Sequence, residues 1–257
     1  MSEKFNNTLN LIKHIFKREW KITLIWLIIL IGLTLGVATV FSDLYGNAAD
    51  RMGMAETMSN PAMVALIGPS YGLDNYTNGI MYTQMMLLFS IIAVAIMNIF
   101  LVIRYTRKDE EGGRLEVVRS LPVGKLSDLF ATMIVCISIN LILALISGLG
   151  LYFLNIESMS LTGSLLYGTS LGVSGILFGG VTALFSQMSS TSRGSLGYSF
   201  IFLGIAYIIR AIGDVSIEAL SFISPLGIVM RIEAYASNYW WPIIILLALS
   251  VIIFGIA

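Results

Sequence analysis

Apolar residues are concentrated in six long runs along this 257-residue chain, and the ionisable residues lie almost entirely between them. All 15 carboxylates fall outside the runs. A charge at mid-bilayer costs roughly 2.5 to 3.5 kcal/mol, and a membrane-crossing helix needs about 20 apolar residues. The pattern therefore predicts an all-α membrane protein with six transmembrane helices. The predicted spans are residues 22–41, 85–103, 129–154, 165–187, 196–212 and 241–257.

The segment before the first run has an apolar stripe at helical spacing. Phe5, Leu9, Ile12, Phe16 and Trp20 recur every three or four residues, and the Lys and Arg side chains lie largely elsewhere around the helix. This is typical of an amphipathic helix that lies in the membrane interface. Residues 1–21 are therefore predicted to be a cytoplasmic connecting helix and residues 22–257 the transmembrane domain. An ordinary charged flank is the alternative.

Two sets of glycines at four-residue spacing predict where helices meet. Gly32 and Gly36 lie in the first run, and Gly168, Gly172 and Gly175 begin a stripe in the fourth that continues to Gly179. In lipid, helices associate through close backbone approach at small residues. Packing within one bundle is the favoured interpretation for both sets.

Basic residues predict the orientation of the chain. They cluster before the first run and between the second and third, which places these segments and the amino terminus in the cytoplasm by the positive-inside rule. On that side lie Lys4, Lys13, Lys17, Arg18, Lys21, Arg104, Arg107, Lys108, Arg114, Arg119, Lys125 and Arg193. On the other side lie Arg51, Arg210 and Arg231.

Composition excludes several classes of function. The mean hydropathy is +0.87 and the formal net charge is zero, which disfavours a nucleic-acid partner. One His and one Cys cannot build a zinc site, so no metal site is predicted. The predicted spans contain no acid to couple an ion gradient, and no GxxxxGK[ST] loop is present. We therefore expect a non-enzymatic chain without a cofactor of its own, with ATP and Mg²⁺ on a partner.

A few polar residues inside or near the runs invite a functional interpretation. Gln84, Asn98 and Asn140 are candidates for a translocation path. Interhelical hydrogen bonding is the favoured alternative for isolated amides. Arg210, near the outer end of the fifth run, is expected to extend to the membrane surface and to pair with Asp214, four residues on.

The connection between the second and third runs, residues 104–128, carries the candidate site for a soluble partner. Gly112 and Gly113 break the preceding helix, and Pro122 ends a further two-turn helix at Arg114–Leu121. This short helix has charged residues and one apolar face, so we expect it to transmit force between a partner and the bundle; a solvated, orientation-setting loop is the alternative. The candidate coupling residues are Glu110, Glu111, Gly113, Arg114, Leu115, Glu116, Val118 and Arg119.

Three stretches carry a resemblance to a known family. They are TRKDEEGGRLEVVRSLPVGKL in that connection, NPAMVALIGPSYGLDNYT at 60–77 and SPLGIVMRIEAYASNYWWP at 224–242. In this order they resemble bacterial ABC-2-type exporter permeases, in particular the polyketide-antibiotic (tetronasin-like) export branch.

The resemblance implies the N-terminal six-helix half of such a permease, with a coupling helix and short re-entrant helices between the fifth and sixth spans. It further implies a separate ABC ATPase subunit, a second permease half or second copy, and the bacterial plasma membrane. Export of hydrophobic or amphiphilic compounds such as antibiotics, and hence antibiotic resistance, is the function it implies. The alternatives are an ion-coupled carrier and a polytopic lipid-modifying enzyme.

Overall fold

A computed structural model describes residues 8–112, 124 and 127–257, and all regular secondary structure in them is helical. Two 3₁₀ turns, Leu73–Asn75 and Met230–Ile232, accompany the α-helices. The helices are α1 (Thr8–Leu44), α2 (Ala48–Met58), α3 (Pro61–Ile67), α4 (Asn78–Tyr105), α5 (Arg107–Glu111), α6 (Ser127–Phe153), α7 (Leu161–Met188), α8 (Ser192–Val215), α9 (Glu218–Ser221), α10 (Pro225–Val229) and α11 (Trp241–Ile256).

Five of these helices are long and apolar enough to cross a membrane: α1, α4, α6, α7 and α8. They contain the first five predicted spans, except that α6 ends one residue before the predicted end of the third. The sixth, α11, has 16 residues, about 24 Å at 1.5 Å per residue. This is shorter than the roughly 30 Å hydrocarbon core of a bilayer. The count of six crossing helices therefore stays a prediction.

The most buried long helix is α7, which packs against α6, α4, α8 and α11. Its glycine stripe explains how the backbones approach so closely. A Cβ at Gly172 would lie 2.6 Å from the Asn140 carbonyl oxygen, and one at Gly179 would lie 2.6 Å from Cys136 Sγ. The interpretation of this stripe as a packing surface within the bundle is confirmed.

Helix α1 lies at the edge of the bundle and packs against α6 and α4. It runs without a break through residue 21, where the sequence predicts a boundary between a connecting helix and the first span. A Cβ at Gly32 or Gly36 would meet nothing within 4 Å. The interpretation of these two glycines as contacts within the bundle is therefore wrong, because this face of α1 has no neighbour among the described residues.

The connections at the start of α4 form a compact cap, which we define as residues 45–77 and 216–240. Tyr235 fixes it to the bundle: its ring fills the space above Gly79 and Gly163, and its hydroxyl lies 3.0 Å from Ser164 Oγ. Desolvation raises the pKa of this phenol, so the hydroxyl stays protonated.

Short helices do lie between α8 and α11, as the resemblance implies. Of the apolar residues in this segment, Leu226, Ile228 and Val229 are buried in α10. Phe222 and Ile223 are exposed. The cap therefore buries one part of this segment and leaves another apolar part at its surface.

Candidate functional site

An amide pair joins α4 to α6 inside the bundle. Asn98 Nδ2 donates to Asn140 Oδ1 at 3.0 Å, and Asn140 Nδ2 donates to Asn98 Oδ1 at 2.6 Å. The second hydrogen of each amide is bonded to a carbonyl one turn back in its own helix, that of Val94 or Cys136. Both side chains are fully buried. All four amide hydrogens are therefore used within the protein.

Gly175 of α7 covers the amide pair from a third helix. A Cβ at this position would overlap Asn140 Oδ1 and would lie 2.7 Å from Asn98 Nδ2. Glycine is required at this position because only a hydrogen atom fits between the α7 backbone and the two amides. Three helices thus meet at one polar point in an otherwise apolar core.

Gln84 belongs to a different region of α4. Its Oε1 accepts a 2.6 Å hydrogen bond from the hydroxyl of Tyr76 in the cap, and its side chain is buried. Among the described residues its Nε2 has no hydrogen-bond partner. Gln84 is 14 residues from Asn98, about 21 Å along the helix. The structure therefore brings together two of the three candidate path residues, and separates the third.

The opposite end of the bundle, which we call the basic end, is held together by a buried carboxylate. Glu19 of α1 is 5% exposed. It pairs with Arg18 Nε and with Arg104 Nε of α4, each at 2.8 Å. Arg18 Nη2 lies 2.6 Å from Asp109 Oδ2 in α5. Four charged groups thus connect α1, α4 and α5.

The described part of the predicted coupling segment is attached to α8. Glu111 Oε1 accepts from the Ser192 backbone N–H at 2.7 Å, and Oε2 accepts from the Ser192 hydroxyl at 2.6 Å. Glu110 pairs with Arg107 within α5, and Arg107 Nε donates to the Ser186 carbonyl oxygen at 2.9 Å. The end of α5 is therefore fixed at the point where α7 ends and α8 begins. The other candidates, Gly113, Arg114, Leu115, Glu116, Val118 and Arg119, and the helix predicted at Arg114–Leu121, lie outside the described residues.

A second buried charge cluster lies between α8 and the cap. Arg210 Nη1 is 3.3 Å from Asp214 Oδ2, and neither side chain has exposed surface. Arg210 Nη2 also donates to the carbonyl oxygens of Ala65 and Leu66 at the end of α3. The expected pairing with Asp214 is confirmed, whereas the expected extension of Arg210 to the membrane surface is wrong. The α3 carbonyls and Asp214 accept from both terminal nitrogens and hold the guanidinium inside, while Nε has no hydrogen-bond partner among the described residues.

Sequence reasoning missed the burial of Glu19 and Asp214, which lie just outside the predicted spans. The helices extend past those boundaries: α1 starts at Thr8 and α8 ends at Val215. The sequence feature that comes nearest to indicating this burial is a carboxylate next to an arginine, as at Arg18 and Glu19. Within the described residues, no group of three or more His, Cys, Asp or Glu side chains could hold a metal ion.

Comparison with known proteins identifies relatives among drug exporters. Residues 23–257 match the family model described as the C-terminal domain of the multidrug efflux system permease Rv1217c. The multidrug efflux system permease protein Rv1217c of Mycobacterium tuberculosis strain H37Rv is 32% identical over 255 residues. The match covers 97% of this chain and 44% of that relative. The chain thus spans less than half the length of the curated relative that it matches.

The family model bears on which half of a permease this chain represents. It describes a carboxyl-terminal domain, whereas the resemblance in the sequence implies an amino-terminal half. This match does not support that expectation, and the tetronasin-like branch likewise stays a prediction. The five apolar helices and the matched family agree on a multi-pass membrane permease. The chain belongs to the family of the C-terminal domain of the multidrug efflux system permease Rv1217c.

Proposed function

We propose that this chain is a membrane-spanning part of an ATP-driven ABC-2-type exporter of hydrophobic or amphiphilic compounds, including antibiotics, in a bacterial plasma membrane. The observation that carries the proposal is the match of residues 23–257 to a multidrug efflux permease family. Drug export is taken over from the relative, which is named a multidrug efflux permease. A separate ABC ATPase subunit with ATP and Mg²⁺, and a second permease half or second copy, complete the transporter.

The geometry of the basic end supports a coupling role for the segment that follows α5. Glu111 attaches the start of this segment to α8, and Asp109 attaches α5 to Arg18 of α1. A force applied beyond residue 112 would therefore reach two helices at once. In the proposed orientation this end and the amino terminus face the cytoplasm, where the ATPase is located.

An ion-coupled carrier is the second candidate, and the buried Asp214 is the observation that favours it. Acids inside membrane proteins frequently mark ion or proton pathways. Here Asp214 is paired with Arg210 and accepts a 2.6 Å hydrogen bond from Ser221. Because these partners already balance the charge of the carboxylate and hydrogen-bond to it, they favour a structural role for Asp214.

Reconstitution of the complete transporter distinguishes the two candidates. The full-length permease is co-purified with its ATPase and placed in vesicles, and drug transport is followed with ATP present and the proton gradient collapsed by an ionophore. The proposal expects transport to persist with the ionophore and to stop without ATP. Transport that stops with the ionophore at constant ATP would instead support the carrier.

A further inference from the structure

A cleft of about 400 Å³ opens at the basic end between α1, α4, α5 and α8. Its walls are apolar and include Ile22 and Trp26 of α1, Phe100 of α4 and Leu196 of α8. Phe100 is 42% exposed and Trp26 is partly exposed. The cleft is thus an open apolar surface within the bundle rather than a filled part of the core.

The mouth of the cleft is cationic. The described ionisable residues that line it are Arg104, Lys108 and Arg193, and no carboxylate is among the described lining residues. Lys108 and Arg193 are exposed. Arg104 uses its Nε for Glu19 and keeps 42% of its side chain exposed.

Four carboxylates lie nearby without lining the cleft. Three of them pair with arginines: Glu19 with Arg18 and Arg104, Asp109 with Arg18, and Glu110 with Arg107. The fourth, Glu111, is hydrogen-bonded to Ser192 and keeps its charge. Against these four carboxylates stand five cationic groups, Arg18, Arg104, Arg107, Lys108 and Arg193, so the described charge around the mouth is positive by one.

The helices that frame the cleft are also those that present apolar side chains outwards. Ile25 and Ile28 of α1 and Ile201 and Ile205 of α8 are at least half exposed. In a membrane these faces contact acyl chains, so the cleft opens where lipid is present. Apolar walls beneath a ring of Lys and Arg match an amphiphile that carries a negative headgroup.

We propose that this cleft binds an anionic phospholipid from the surrounding leaflet. The headgroup phosphate lies among Arg104, Lys108 and Arg193, and an acyl chain lies against Trp26 and Phe100. Since α5 contributes Lys108 and α8 contributes Arg193, the bound lipid bridges the same two helices that Glu111 and Ser192 connect. This site is separate from the export of drugs and requires no particular transport mechanism.

Quenching of Trp26 fluorescence by brominated lipids tests the proposal. A variant with Trp20, Trp240 and Trp241 each replaced by Phe leaves Trp26 as the single tryptophan of these 257 residues. The 257-residue chain is placed in detergent micelles containing brominated phosphatidylglycerol or brominated phosphatidylcholine with identical acyl chains. We expect phosphatidylglycerol to quench Trp26 at several-fold lower concentration, because only its headgroup carries a net negative charge.

Replacing basic residues of the cleft tests whether they cause the preference for phosphatidylglycerol. Each basic side chain near a membrane surface strengthens the attraction to anionic lipid roughly fivefold. Lys108→Gln with Arg193→Gln removes two of the three basic side chains and should therefore abolish the several-fold preference for phosphatidylglycerol. The matched control, Lys13→Gln with Lys17→Gln, removes two exposed charges from α1 that do not line the cleft, and should leave the preference unchanged. Equal quenching by the two lipids, or an equal loss in both double variants, would overturn the proposal.

Inorganic phosphate distinguishes a lipid site from a site for a free anion. It is added to the phosphatidylglycerol micelles at a concentration of about 10 mM, against sodium chloride of matched ionic strength. Quenching that is the same in both solutions supports a lipid site, because the apolar walls contribute to binding. Quenching that phosphate reverses, and chloride does not, would overturn it in favour of a free phosphate site.

Discussion

Arg210 and Asp214 form an ion pair one helical turn apart in α8, and both side chains are completely buried. The other partners of the pair are the α3 carbonyls, the Ser221 hydroxyl, and Arg231, whose Nη2 lies 3.8 Å from Asp214 Oδ1. A buried pair of this kind adds little net stability over an apolar pair, but breaking it leaves an uncompensated charge inside the protein.

Asp214→Asn should therefore destabilise the chain by about 3 to 5 kcal/mol. Unfolding can be followed with a thiol-reactive dye, because Cys136 is the single cysteine and is 3% exposed in the folded protein. Glu110→Gln is the control, since this carboxylate also pairs with an arginine but is 43% exposed and belongs to a separate cluster. It should cost at most about 1 kcal/mol. Similar unfolding temperatures for the two variants would contradict a structural role for the buried pair.

The amide pair should show energetic coupling in a double-mutant cycle. Asn98→Leu or Asn140→Leu alone leaves the partner amide unsatisfied, whereas the double variant removes both polar groups. We expect a coupling of at least about 1 kcal/mol, because each interhelical hydrogen bond contributes about 0.6 kcal/mol on average. The measurement is the unfolding temperature of the four proteins by dye labelling at Cys136.

Measuring drug efflux by the same four proteins tests whether Asn98 and Asn140 line the translocation path. Because every amide hydrogen of the pair is used internally, we expect the double variant to retain efflux in cells that express the complete transporter. A double variant that folds normally and yet loses efflux would place Asn98 and Asn140 on the path instead.

Gly175→Ala should be destabilising by about 1 to 3 kcal/mol, since the added methyl group overlaps the amide pair in a closely packed core. Gly197→Ala in α8 is the matched control, because a Cβ there meets nothing within 4 Å. Alanine favours the helix over glycine by up to about 1 kcal/mol, so this control should be neutral or stabilising. Equal effects of the two substitutions would contradict the close approach at Gly175.

The contact between Glu111 and Ser192 should matter for coupling more than for folding, because both residues lie at the surface of the basic end. Ser192→Ala removes one of the two hydrogen bonds to the Glu111 carboxylate. We expect lower drug-stimulated ATPase activity in the complete transporter with unchanged expression. Glu110→Gln, which affects a pairing within α5 alone, should have the smaller effect. A larger effect of Glu110→Gln than of Ser192→Ala would contradict a role of this contact in transmitting force.

Orientation can be tested with single cysteines in a Cys136→Ser background. Asp50→Cys in α2 should react with an impermeant reagent on intact cells, because the basic residues predict that this segment faces outward. Arg114→Cys should react only after the cells are opened. Strong labelling at position 114 with none at position 50 would reverse the proposed topology.

Local composition was sufficient to predict the five long helices and the glycine contacts of α7. The length of a span and its lack of charge depend on short stretches of sequence, and so does the approach of two backbones at Gly168 and Gly172. The same pattern misled at Gly32 and Gly36, because spacing does not reveal whether a neighbour is present. The distant partners of Glu19 and Arg210 could not be predicted for another reason: Arg104 is 85 residues from Glu19, and Ala65 is 145 residues from Arg210.

The unbroken course of α1 has a mechanical consequence. Its 37 residues extend over about 55 Å, from the amino-terminal segment to the cap. A straight helix of this length is stiff, so a tilt imposed at one end displaces the other in the opposite direction about an intermediate pivot. The contact of Glu19 with Arg104 lies about a third of the way from one end, and the contact of the Tyr82 hydroxyl with the Thr34 carbonyl oxygen about a third of the way from the other. In such a lever, closing one side of the membrane would itself help to open the opposite side.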